Sequence, residues 1–292
     1  MMPVPIFRLL LIATAILGAA CVLVPCCSPA GEGVESKAGK TDDSNEKATV
    51  ARQRLEIMTA RIESIVVSST DLEVPKQMQP APLFRYDDET RGYVDGTVWR
   101  LGETGRPLAI ITAELHPNYL GSGPRIVYDF LSLTDRPFTA RSADIPGWSP
   151  RAPAVVLKEL PNAPEASAVV AKRLTQLKEQ ARRFSGTQEV QEIDKTFVHL
   201  RLLPREIERY SPGQQKLSDG AIFLFANGRN PALLLVIETD GKDWKYGIGR
   251  LSMPSTLEMR LDDTVVWSEP RIPSSPGWSE PYNASNSLAK FP

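Results

Sequence analysis

Cysteine is nearly missing from this chain, and its distribution removes several kinds of chemistry. All three cysteines, Cys21, Cys26 and Cys27, fall within the first thirty residues. The remainder offers no disulfide framework, no cysteine nucleophile and no thiolate metal ligand. Two histidines, His116 and His199, are too few for a histidine-rich metal centre, and we expect neither metal nor cofactor. An excess charge of either sign is also missing, because 34 Lys and Arg offset 35 Asp and Glu to leave a net charge of −1. That balance excludes the broad basic surface of a protein whose main partner is nucleic acid. Twenty-five prolines among 292 residues exclude an all-helical bundle. No serine elbow, P-loop, dinucleotide-binding glycine pattern, zincin helix or calcium loop occurs.

The N-terminus carries the clearest signal. Arg8 is the only charged side chain in the first thirty residues, and Leu9 to Val24 is apolar or small apart from Thr14. A short positive start followed by such a stretch reads as an export signal or membrane anchor, residues 1–30. Three endings stay open. Ser28-Pro29-Ala30 fits signal-peptidase cleavage before Gly31. Gly18-Ala19-Ala20-Cys21 is similar to a bacterial lipobox, with Cys21 as the lipid anchor, although Leu17 lies one place too far upstream. Leu9 to Cys27, left uncleaved, is about long enough to cross a bilayer. Each predicts an exported protein of the periplasm or cell envelope, membrane-anchored if lipidated or uncleaved. Residues 31–47 are polar, charged and free of aromatics, and read as a disordered linker.

Comparing the chain with itself reveals an internal repeat. Arg85-Tyr86 is followed ten residues on by Asp95-Gly96, as Arg209-Tyr210 is by Asp219-Gly220. At the same offset of 124, Pro107 aligns with Pro231, Glu114 with Glu238 and Pro80 with Pro204. After an offset change, Arg141, Asp144, Trp148 and Ser149 match Arg260, Asp263, Trp267 and Ser268. Ahead of each block runs an apolar stripe at helical spacing: Ala51, Leu55, Met58, Ile62 and Ile65, then Val170, Leu174, Leu177, Ala181 and Phe184. Pro164-Glu165 and Gly186 read as the start and stop of the second helix. Turn residues between β-rich runs predict hairpins around Gly105-Arg106-Pro107 and Asn227-Gly228-Arg229-Asn230. The expectation is an α+β fold of two tandem similar units, 48–152 and 164–270, each a helix packed on a curled antiparallel sheet. Residues 271–292, rich in proline and serine, read as an extended tail.

The Arg-Tyr and Asp-Gly elements, the Gly-Arg-Pro turn and the Trp-Ser ends resemble those of uncharacterised exported proteins of planctomycete bacteria. The resemblance covers roughly residues 80–270 and implies no activity, cofactor or catalytic residue.

Candidate chemistry is sparse. His116 as base, Ser122 as nucleophile and Asp129 as orienting carboxylate would make a triad. Asp95 with Asp219, or Glu114 with Glu238, would supply paired carboxylates, yet Asp-Gly before a strand is also a turn signature. Arg141-Asp144 and Arg260-Asp263 read as local ion pairs or turn supports, Trp148 and Trp267 as rim packing. His199 reads as a structural histidine in an apolar strand. Lys172, Arg173, Lys178, Arg182 and Arg183 read as a solvated helix face. The first unit is five residues longer than the second between its glutamate and its arginine, an excess that falls in the loop His116–Arg125. That loop gathers His116, Tyr119 and Arg125, the candidate binding residues. No catalytic residue is assigned. The leading expectation is a non-enzymatic, envelope-associated binding or structural protein, its partner another protein or an envelope polymer. The alternative is a hydrolase or small-molecule binder with a site in a sheet concavity. A pocket of converging acids with perturbed pKa values would favour the second.

Overall fold

A computed structural model describes residues 38–69, 81–88, 92–102, 104–189, 196–211 and 218–292. Residues 43–292 form one compact unit; of the unit formed by residues 1–42, only the start of helix α1 is described. In chain order, α1 (Ala38–Glu63) precedes β1 (Val66–Ser68), β2 (Phe84–Asp88), β3 (Tyr93–Leu101), β4 (Ala109–His116) and β5 (Arg125–Ser132). Then come β6 (Thr139–Arg141), β7 (Lys158–Glu159) and α2 (Val170–Ala181). The second half continues with β8 (Phe184–Glu189), β9 (Phe197–Leu202), β10 (Glu208–Tyr210), β11 (Asp219–Asn227), β12 (Asn230–Thr239) and β13 (Trp244–Arg250). Strands β14 (Leu257–Leu261), β15 (Thr264–Glu269) and β16 (Tyr282–Leu288) complete the chain.

Among the described residues the strands make three antiparallel sheets. One is the pair β1-β6, one is ordered β16-β5-β4-β3-β2, and the largest runs β15-β14-β8-β9-β11-β12-β13-β7 with β10 on β11. Period-two alternation distributes the core. In the first half, Trp99, Ile111, Ala113, Tyr128 and Phe130 point to one face and pack with Met58 and Ile62 of α1. Val98, Ile110 and Leu131 point to the other and meet Ile222, Leu224, Leu234 and Val236 of the second half. Phe223, Phe225, Leu233, Leu235 and Ile237 take the far side, against Leu177 and Ala181 of α2. Both central hairpins are therefore buried on both faces. This is why Leu233 to Ile237 is unbroken in its apolarity rather than alternating with polar residues.

The expected α+β class is overturned. Among the described residues the protein is mostly β, 44% strand against 15% helix, with two α-helices and a curled half-barrel sheet. Segments read as helix or tail supply the extra strands. Helix α2 ends at Ala181, so Phe184 and Gly186 belong to β8 rather than to a helix end. Phe184 continues the helical spacing only because the chain turns without changing the side that faces the core. The helix also starts late, at Val170, because residues 164–169 are held outside it: the Trp244 indole donates to the Pro164 carbonyl (2.8 Å).

Other segments differ as well. Residues 38–47 of the expected linker belong to α1. Residues 271–292, expected as a tail, contain β16, which pairs along β5 from Tyr282↔Leu131 to Leu288↔Arg125. Without β16 the backbone donors and acceptors of β5 would be left as an open edge. The Asp95-Gly96 step lies inside β3 rather than in a turn.

Candidate functional site

Strands β4 and β5 pair with Thr112 opposite Asp129 and Glu114 opposite Val127. Residues paired or two apart share a face. Glu114 and Asp129 are thus diagonal neighbours on the side turned toward the second half, about 7 Å apart at the backbone. The Tyr86 hydroxyl donates to Glu114 Oε1 (3.0 Å), and His116 Nε2 lies 3.1 Å from Glu114 Oε2. Asp129 is buried. The Tyr282 hydroxyl donates to its Oδ1, and the Thr112 hydroxyl to its Oδ2 (3.1 Å). Burial pushes the Asp129 carboxyl up to about 7; the Glu114 charge adds to this, while the Tyr282 and Thr112 hydrogen bonds and Arg250 oppose it.

These acids border a cavity of about 860 Å³ between the two halves. Tyr93, His116 and Tyr119 line it from the first half, Gln188, Asn230 and Ser255 from the second, and Asn286 from β16. The three rings form a wall, with centroids 5.3 Å apart for Tyr93–His116 and 5.2 Å for His116–Tyr119. On the far side Gln188 donates to the Ser255 hydroxyl (2.9 Å). Arg250 reaches the carbonyls of Ser252, Ser255 and Pro270 and lies 5.6 Å from the Tyr282 ring centroid.

The same local geometry occurs at the matching residues of the second half. Tyr86 sits opposite Gly96, which sits opposite Glu114; Tyr210, Gly220 and Glu238 repeat the register. A side chain on Gly96 would place its Cβ 2.6 Å from the Tyr86 ring, and one on Gly220 would collide with Tyr210 in the same way. Glycine is therefore required for a close ring approach, which explains the Asp-Gly pair without a turn. Asp95 is held by Arg85 (Nε–Oδ1 2.8 Å), and Asp219 by Arg209 (3.0 Å) and Arg173 (3.0 Å).

The two glutamates differ in what faces them. Glu238 accepts from the Tyr210 hydroxyl (2.7 Å) and is clamped by both arms of Arg106, from the β3–β4 turn (Nε–Oε1 2.6 Å). Arg106 immediately precedes Pro107; the residue preceding Pro231 is Asn230, which faces the cavity that Glu114 lines. At the place of Asp129, β13 has Gly247, and Val155 packs where a Cβ would stand (2.5 Å). One half is filled by an arginine and a valine; the other is open.

Of the sequence candidates, His116 and Tyr119 line the cavity, and Arg125 braces its loop. Arg125 donates to the Ser122 hydroxyl (2.9 Å) and to Asn286 Oδ1 (2.8 Å). The triad is not assembled: Ser122 donates to the Tyr119 carbonyl, while His116 faces Glu114. Neither carboxylate pair is assembled across the halves, since Asp95, Asp219 and Glu238 each have arginine partners. Asp144 pairs with Arg61 rather than Arg141; Arg260 forms its ion pair with Glu258 and supports the turn by donating to the Asp263 carbonyl (3.1 Å). Trp148 is buried against Phe130 and Phe138. His199 is exposed on β9, although its apolar neighbours predict burial. On α2, Arg173 and Lys178 pair with Asp219 and Glu206, and just beyond its end Arg183 pairs with Asp262. Cys21 lies outside the described residues.

Sequence reasoning did not single out Tyr93, Tyr282, Gln188 or Asn230. Asp129 stood among the triad candidates, and the stronger signal was its position between Val127 and Leu131 on an inward face. Among the described residues, no group of three or more His, Cys, Asp or Glu is placed to hold a metal ion, and no helix is long and apolar enough to cross a membrane. No protein family, curated protein or solved structure matches the chain.

Proposed function

We propose that the protein binds a small molecule, or the side chain of a larger one, in the cavity between its two halves. The observation that carries this reading is the pair Glu114 and Asp129. Among the described residues neither forms an ion pair with lysine or arginine, yet both face about 860 Å³ of space. That volume is in the range of ligand pockets, where a few convergent polar groups set specificity. Burying carboxylates without a cation costs several kcal/mol, so a site that serves only the fold would be filled, as it is around Glu238. This favours the binding alternative over a purely structural role. The serine triad lacks support, because Ser122, its candidate nucleophile, is turned to a backbone carbonyl. The export reading, through Arg8 and the apolar run after it, would put the site outside the cytoplasm, and the internal matches are read as a duplication whose copies diverged.

The test is thermal melting of the full chain against a panel of sugars, nucleotides, amino acids and amines. Asn230→Arg serves as the blocked control, since it puts an arginine where the second half has Arg106. A compound that raises the melting temperature of the wild type but not of the blocked variant supports the reading. Stabilisation equal in both proteins for every active compound, or no active compound at all, counts against it.

A further inference from the structure

We infer that the cavity binds a guanidinium group, with Glu114 as its carboxylate partner in the place that Arg106 takes on Glu238. This rests on the binding reading above and names the ligand class. The protein contains its own filled example of the site. In the second half a tyrosine hydroxyl holds Glu238 from one side while both nitrogens of the Arg106 fork engage the carboxylate from the other. In the first half Tyr86 holds Glu114 in the same way, and the register around the glutamate is identical. The arginine is missing, since the residue before Pro231 is Asn230, and the second Glu114 oxygen meets the His116 ring instead (Nε2–Oε2 3.1 Å). Asparagine is too short and carries no charge, so it cannot neutralise the glutamate.

An independent feature points to the same chemistry. The Tyr93, His116 and Tyr119 rings stand along the wall next to Glu114. A planar, weakly hydrated guanidinium gains from a carboxylate at its edge and an aromatic face beside it, more than a compact ammonium does. The repeat does not carry these rings into the second half: at the offset of 124, the positions matching Tyr93 and His116 hold Leu217 and Asp240. The first half is thus adapted to hold a separate cation, and the second is closed by an internal one. The cavity is far larger than a guanidinium. Its remaining surface, with Gln188, Ser255 and Asn286, leaves room for the ligand's body.

Isothermal titration of the full chain tests this with two probes: agmatine, a free alkylguanidine, and the blocked peptide acetyl-Gly-Arg-Gly-amide. Binding of agmatine alone assigns a small-molecule source, and binding of the peptide assigns an arginine side chain; either supports the inference. Glu114→Gln should weaken binding by roughly tenfold or more, the loss of a charge-assisted pair. Asn230→Arg should abolish it. Butylurea, which carries no charge, should not bind, and 1,4-diaminobutane, which has an ammonium where agmatine has its guanidinium, should bind more weakly than agmatine by roughly tenfold or more. Circular dichroism and melting establish that both variants fold; if Asn230→Arg does not, Glu114→Gln alone decides. The inference is overturned if neither guanidine binds, or if Glu114→Gln leaves the affinity unchanged. If other panel compounds are still blocked by Asn230→Arg, the cavity is a binding site for a different class. If nothing is blocked, the binding reading itself fails.

Discussion

Replacing Asp129 by asparagine removes an ionisable group from a buried place in the cavity wall, and the effect should depend on pH in a defined direction. The Asp129 carboxyl lies at about 7 in the fold against an ordinary 3.8, chiefly through burial and with a contribution from Glu114. A carboxyl raised in this way stabilises the fold fully when protonated. The contribution is lost as pH rises from about 4 and is gone above about 7. At about 1.4 kcal/mol per pH unit the interval amounts to about 4 kcal/mol. The titratable groups facing Asp129 are Glu114 on β4, Tyr86 on β2, Tyr119 in the loop after β4, Tyr282 on β16 and Arg250 on β13, with Thr112 completing the shell. Asparagine retains an acceptor for the Tyr282 hydroxyl and a partner for Thr112, so little packing changes. Urea unfolding at pH 5, 6, 7 and 8 isolates the charge together with its coupling to its neighbours, because titrating groups that do not interact with Asp129 cancel in the difference between variant and wild type. The variant should gain on the wild type up to about pH 7, level off above it, and exceed it by about 4 kcal/mol at pH 8. A difference that stays constant from pH 5 to 8, or a less stable variant at pH 8, would refute the reasoning.

Three further outcomes follow from the packing. Gly220→Ala should lower stability by about 1–3 kcal/mol in urea titration, since its Cβ collides with the Tyr210 ring and overpacking is costly; an unchanged midpoint would contradict the close approach. Arg106→Ala should cost about 3 kcal/mol, because Glu238 is buried and would retain only the Tyr210 hydroxyl; Arg106→Ala paired with Glu238→Gln should recover part of the loss. Ending the chain at residue 270 removes β16, Tyr282 and the Trp278 contact with Phe130, so the melting transition should broaden or vanish. A sharp transition at the full-length temperature would return residues 271–292 to the role of a tail.

The central hairpins were legible in the sequence because Gly105-Arg106-Pro107 and Asn227-Gly228-Arg229-Asn230 interrupt apolar runs. The fold class was not. Short strands such as β8, β14 and β16 are set by the partners they reach across the chain, and a six-residue run such as Phe184–Glu189 carries little local signal of its own. Asp95-Gly96 was misread because a glycine that makes room for a ring looks the same in sequence as a glycine that makes a turn. The site was half visible. The five-residue excess drew attention to the loop with His116 and Tyr119, and Asp129 was noticed only as part of a triad. What gives these residues meaning is the opposite half, which supplies Asn230, Gln188 and Ser255 from far along the chain. No spacing rule encodes that approach. The alignment of Arg106 with Asn230 was present in the repeat, yet its importance depends on knowing that each turn reaches the other half's glutamate.

The most direct measurement is a crystal structure of the full chain with agmatine at saturating concentration. The guanidinium should lie in the cavity, with its nitrogens within hydrogen-bonding distance of the Glu114 carboxylate and its plane against the Tyr93, His116 and Tyr119 wall. Agmatine bound elsewhere, or a cavity holding only water at saturation, would contradict the assignment of this cavity as the open counterpart of the Arg106–Glu238 pair.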